Sequence, residues 1–232
     1  MLCGAPLEYL TTGKTVECSC CGKDFVTHVV CPNRHYICDI CHNNYAVGLI
    51  KQVCSSTDST DPIGIFEEML RFSGVPMLGC HHAFMAAGAF IAAGAFIAAI
   101  KNEGTLNVTD STMEEVFLRT GRQAVGGYCG LTGVCGITPA LGACFAVILG
   151  SKCGTDREQR LTMDAVCEIS AAIRDLTGPS CCKAYARKAL ETAQHVLKCV
   201  LGITLSAADT PIACHDAPRH PHGCRKGCPY LI

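Results

Sequence analysis

Two Cys-x2-Cys pairs, Cys18 with Cys21 and Cys38 with Cys41, lie sixteen residues apart near the start of the chain, and few local folds satisfy that spacing without a metal ion. A pair so spaced presents two sulfurs on one side of a tight bend. Two such pairs complete the thiolate tetrahedron that Zn2+ accepts without redox activity. Cys18, Cys21, Cys38 and Cys41 are therefore expected to hold a structural zinc ion.

Cys20, Cys31, His35 and His42 share that segment. The order Cys31-x3-His35-x2-Cys38-x2-Cys41 partly follows the cross-braced pattern of a RING finger, so a second ion is an alternative. The last Cys pair of that pattern is absent, and surface or supporting roles are the plainer reading of His35 and His42. Residues 1–50 are expected to form a zinc-ribbon-like module of short strands, followed by connecting chain over 43–60.

The chain carries 20 cysteines in 232 residues, a density close to that of short secreted disulfide scaffolds. This chain is not short, and Met1 to Leu10 lacks a charged segment followed by an apolar run, so a secretory signal is not expected. The cysteines are expected to meet a reducing cytoplasm and to serve as thiols and metal ligands. Such a thiol load oxidises readily, which suits an anaerobic host. With a formal charge of −1 and no basic run, the sequence offers no footprint for nucleic acid or an anionic membrane surface.

From Asp61 the pattern becomes helical, and the fold class expected is mainly α, with a helical core over 61–206. Asp61 can cap, Pro62 suits the first helical position, and Ile63, Ile65, Phe66, Met69 and Leu70 recur at helical spacing. Residues 83–100 are three copies of one apolar hexad, AFMAAG, AFIAAG and AFIAAI. Six residues advance a helix by about 600°, so Phe84, Phe90 and Phe96 should point in three directions. A helix apolar all round is buried on every side or spans a membrane. Its many Ala and Gly favour burial, leaving a two-span membrane protein, with 131–149 as the second span, as a third reading. Further helices are expected at 110–124, 136–150, 156–176 and 180–201.

A Cys- and His-rich tail over 207–232 needs metal to tie it down. Cys214-x9-Cys224-x3-Cys228-Pro229 has the C-x3-C-P ending of bacterial ferredoxin runs. Three cysteines are one short of the usual four, so a distant residue such as Cys181 completes the set or one iron stays open. A second zinc, with His215, His220 or His222 as fourth ligand, is the alternative.

Cys129 and Cys135 flank a Gly-rich turn before a helix, where backbone N–H groups and the helix dipole favour a thiolate. Cys181 and Cys182, followed by Lys183, repeat the arrangement at the next helix start. His81 and His82 follow Cys80 at the head of the hexad helix and can donate a proton or a ligand. Cys129, Cys135, Cys182, His81, His82 and Lys183 are thus the catalytic candidates, and Cys144, Cys153, Cys167 and Cys199 are expected to be inert buried thiols.

On CPNRHYICDICH at 31–42, PIGIFEEMLR at 62–71, the His pair at 81 and 82, GGYCGLTGVCG at 126–136, GPSCCK at 178–183 and the tail, the chain resembles a cysteine-rich prokaryotic family of unknown function, numbered 5714. Residues 126–190 are weakly similar to the redox-active family known by its C-GCAxxG-C-C signature, through VCGITPALG and the later Cys-Cys-Lys. The first resemblance implies shared architecture and a metal or redox role, and the second suggests redox chemistry. The function expected is a cytosolic iron–sulfur enzyme of redox or sulfur-transfer chemistry. Its 4Fe-4S cluster would sit on Cys181, Cys214, Cys224 and Cys228, with a sulfur-containing or other small substrate and a redox partner protein. A non-catalytic zinc protein that recruits an enzyme is the alternative.

Overall fold

The computed structural model describes residues 3, 5–72, 87–176, 181–207, 212–214, 217 and 223–231. An antiparallel hairpin of β1 (Glu8–Glu17) and β2 (Asp24–Val30) comes first. Its register runs from Glu17 opposite Asp24 to Lys14 opposite Thr27, slips, and resumes with Tyr9 opposite Val29. The irregularity bends the ribbon, as a bulge does. Both strands are largely exposed, so the module has little core of its own.

Eight helices follow among the described residues: α1 (Asp39–Ser56), α2 (Pro62–Leu70), α3 (Ala87–Glu103), α4 (Asp110–Gln123), α5 (Tyr128–Thr132), α6 (Ile137–Leu149), α7 (Arg157–Leu176) and α8 (Cys182–Leu201). The chain is mainly α, as the apolar periodicity indicates. At the start of α2 the Asp61 carboxylate accepts from Ile63 N–H at 3.0 Å, with Pro62 at the first helical position. The cap of α4, expected over 110–124, is Thr109, in a reciprocal box with Thr112.

Residues 43–60 are not a connection, because α1 occupies most of them. Asn43, Asn44 and Gly48 are weak helix formers that blur its periodicity, yet Ala46, Ile50, Val53 and Cys54 are buried along one face. That face packs on α3, which α2, α4, α6 and α8 also touch.

Every residue from Gly88 to Ile100 is buried. The hexad phase does separate its phenylalanines: Phe90 stacks on Phe117 of α4 at 6.0 Å, and Phe96 meets Phe145 of α6 at 5.5 Å. Phe84 lies outside the described residues. The helix ends at Glu103, just before Gly104. At Gly94 α1 packs tightly on α3, since a Cβ there would sit 2.9 Å from both Cys54 Sγ and Ile50 Cγ2. Among the described residues no helix is long and apolar enough to cross a membrane.

Candidate metal centres

The first centre is built by the hairpin turn and a helix start. β1 delivers Cys18 into a turn in which Gly22 N–H donates to Cys18 O at 2.8 Å and Cys18 N–H to Lys23 O at 2.9 Å. Gly22 takes φ 68°, a left-handed value that glycine adopts without strain. This knuckle turns Cys21 back beside Cys18. Cys38 caps α1 and Cys41 lies in its first turn, so the second Cys pair is a helix start rather than a second tight bend.

The four Sγ atoms lie within 4.8 Å of one another, with Cys18 and Cys38 buried. A Zn–S bond of about 2.3 Å requires sulfurs about 3.8 Å apart, and Cys21 Sγ stands 3.9 Å from Cys38 Sγ. Cys38 N–H points at Cys18 Sγ at 3.3 Å, and that amide lowers the Cys18 pKa to about 6. The neighbouring Cys38 sulfur, with desolvation and further thiols, pushes Cys41 up to about 12. Cys18 ionises most readily while the thiols of Cys21 and Cys41 are held up, so a cation must draw their protons away. The sequence-derived ligand set fits a single tetrahedral ion.

Cys3 is a residue the sequence reading missed. It meets Cys31 and His35, and the ligand atoms of these three also lie within 4.8 Å of one another. Cys20 is exposed and has no place in that group, and the side chain of His42 is outside the described residues.

At the opposite end of the chain, Cys181, Cys214 and Cys228 pack on one small apolar cluster of Leu176, Ala184 and Tyr230. Cys214 N–H donates to Tyr230 O at 2.7 Å, which fixes the two ends of the tail together. Cys224 joins them. Burial first, then the charges of Cys228, Cys181 and Cys214 and a contact with the Cys228 thiol, raise its pKa. Among the described residues these four are not gathered within the mutual 4.8 Å of the first centre.

Beneath them Arg187 is almost wholly buried. It donates from Nε and Nη2 to the two oxygens of Glu67 at 2.6 and 2.9 Å, and it lies 5.4 Å from the Tyr230 ring centroid. Burial opposes its charge and the Glu67 carboxylate outweighs that, so its pKa is raised, with Cys214 close enough to contribute. Its Nη1, together with Nε and Nη1 of Arg225, is buried without a hydrogen-bond partner among the described residues. An unpaired buried N–H donor on Arg187, whose guanidinium lies beside Cys214, suits an anionic, acceptor-rich occupant. An iron–sulfur cluster, with its anionic sulfurs, fits that description. Glu67, Arg187, Arg225 and Tyr230 carry no motif, and no local signal in the sequence singles them out.

The remaining sequence candidates divide. Cys129 sits half-buried in α5, and Cys135 packs against the main core just before α6. Cys181 caps α8 with Cys182 and the buried Lys183 following. Desolvation outweighs the Ala184 and Lys183 amides at Cys181, so its thiol is raised rather than lowered. His81, His82, Cys80, His215, His220 and His222 lie outside the described residues. The expectation of four inert buried thiols needs correction: Cys144 is buried, but Cys153, Cys167 and Cys199 are exposed. They occupy the solvent sides of a loop and of amphipathic helices.

A sequence profile described as a family of unknown function (DUF5714) matches residues 50–231. The match takes in the stretches at 62–71, 126–136 and 178–183 and the tail cysteines, and begins after the Cys18–Cys41 centre. No curated protein and no solved structure matches the chain.

Proposed function

The chain belongs to the DUF5714 family of unknown function, and from the cysteine groups gathered within and beside that family's region we propose that it is a cytoplasmic redox metalloprotein with a structural zinc ion and an iron–sulfur cluster. Cys18, Cys21, Cys38 and Cys41 hold the zinc. Cys181, Cys214, Cys224 and Cys228 hold the cluster, and Cys181 supplies the fourth thiolate that the tail alone lacks.

The observation that carries the reading is the gathering of these four cysteines beside Arg187, whose Nη1 is buried without a hydrogen-bond partner among the described residues. When bound, a cluster with four cysteine ligands supplies one-electron transfer. The chain's own residues then set its surroundings. Arg187 donates toward negative charge, Tyr230 and Leu176 exclude water, and the Glu67 carboxylate holds the Arg187 plane in place. A sulfur-containing small molecule and a redox partner protein are the partners this chemistry calls for. Cys129, Cys135, Cys182, Lys183 and the His81–His82 pair are the residues assigned to the substrate.

Protein prepared and reconstituted without oxygen should contain iron and acid-labile sulfide and absorb broadly in the visible. Cys214→Ser and Cys228→Ser should each lose that absorption while retaining zinc. A colourless protein holding zinc but neither iron nor sulfide would overturn the reading in favour of a non-catalytic zinc protein. That second reading draws support from Tyr9, Val26, Ile40 and Tyr45, exposed on and beside the N-terminal module as a recruiting surface would be.

A further inference from the structure

We infer that Cys3, Cys31 and His35 form a second metal site, which takes Zn2+ on three protein ligands and leaves the fourth position to water or an exogenous ligand. The three residues come from separate places. Cys3 precedes β1, Cys31 follows β2, and His35 lies four residues beyond. They converge all the same: Cys3 Sγ stands 3.4 Å from Cys31 Sγ, and Cys31 Sγ stands 3.9 Å from His35 Nδ1.

These separations suit one tetrahedral ion, and two sulfurs with an imidazole nitrogen form a set that zinc accepts. The local backbone is shaped to the purpose. Arg34 N–H donates to Cys31 O at 2.9 Å, closing a turn in which Arg34 takes φ 60°. A non-glycine residue in that region is uncommon, and here it carries His35 back beside Cys31. Asn33 Nδ2 donates to Cys3 Sγ at 3.5 Å, and the Ala5 amide acts on the same sulfur. Both lend a thiolate at Cys3 the support that outer contacts give a metal ligand.

The order of ligands along the chain adds a separate argument. Cys3 precedes Cys18 and Cys21, and Cys31 and His35 fall between Cys21 and Cys38, so the two sets alternate. Each ion would close loops that the other leaves open, which suits a hairpin with little core of its own. The sites differ in access. The first has four thiolates, two of them buried, whereas the second has three ligands and an exposed Cys3. Three protein ligands with a free position is the arrangement of exchangeable or catalytic zinc rather than purely structural zinc.

The test is the zinc content of the full chain, reduced, stripped of metal and reloaded, measured by native mass spectrometry on wild type, Cys3→Ser and His35→Ala. Each variant should bind one ion fewer than wild type. Cobalt replacing that ion should give weaker thiolate charge-transfer absorption than cobalt in the Cys18–Cys41 site, and its bands should shift on adding azide. Equal zinc counts in all three proteins would overturn the inference, as would a Cys3–Cys31 disulfide persisting in the reduced chain. The comparison is of differences, so it is independent of what the tail cysteines bind.

Discussion

Arg187 and Glu67, 120 residues apart in the chain, meet edge to edge through two parallel hydrogen bonds and join α8 to α2 under the tail cysteines. The guanidinium is 2 % exposed and the carboxylate 25 %. Breaking a buried pair by removing one partner strands the other charge. Glu67→Ala should therefore cost about 3–5 kcal/mol in urea unfolding, and Glu67→Gln, which keeps one acceptor, should cost less.

Removing the ion from the Cys18–Cys41 centre should unfold the hairpin and the first turn of α1 while sparing most of the helical core. A strong chelator should release both zinc ions of the N-terminal module and expose six additional reactive thiols, those of Cys3 and Cys31 together with the four of this centre, with little loss of helical circular dichroism. Cys38→Ser should reproduce this without chelator. Retained zinc in Cys38→Ser, counted against wild type, would contradict the ligand assignment.

Gly94→Ala should destabilise despite the better helix propensity of alanine. The added methyl meets Cys54 Sγ and Ile50 Cγ2 at 2.9 Å, and overpacking of that kind costs about 1–3 kcal/mol, against about 1 kcal/mol gained from propensity. Adding Cys54→Ala should recover part of the loss. A thermal unfolding comparison of the two variants reads the sign directly.

Burial pushes the Cys54 thiol up to about 12. The folded form therefore resists ionisation that the unfolded chain undergoes from about pH 8.5. Its contribution to stability is complete below that pH and is lost as pH rises toward 12, at up to about 1.4 kcal/mol per pH unit. Urea unfolding between pH 8 and 10 should show a shallower pH dependence in Cys54→Ala than in wild type. In the native protein at neutral pH, a thiol reagent should label Cys153, Cys167 and Cys199 and spare Cys54 and Cys144.

The sequence was legible where a signal was local. Asp61-Pro62 marked the start of α2, spacing of four from Leu161 through Ala165, Ile169 and Ile173 marked one face of α7, of which Leu161 is only half-buried and the other three are buried, and the two Cys-x2-Cys pairs named the first centre. It was opaque where a contact spans the chain. Cys3 reaches Cys31 across a hairpin whose bulged register no pattern reveals, and Arg187 finds Glu67 only after α2 and α8 have packed. Helix α1 was hidden for another reason: its asparagines and glycine mask a buried face that tertiary packing enforces. Cysteine type alone also misled. Cys144 faces α3 and donates to Ala93 O at 3.6 Å, while Cys167 and Cys199 fall on the polar sides of their helices.

Helix α1 carries Cys41 at one end and Ile50 in the core, and the family region begins at residue 50, partway along it. Nine residues of helix span about 13 Å and turn through a net half-rotation, so the metal-bearing head is clocked to the opposite side of the helix from the core it is attached to. A single-residue deletion between 43 and 49 would swing that head by about 100°, whereas a seven-residue insertion would return it to within about 20°. The Cys18–Cys41 group would keep its facing relative to the core only if the length of α1 changed in steps of about seven residues.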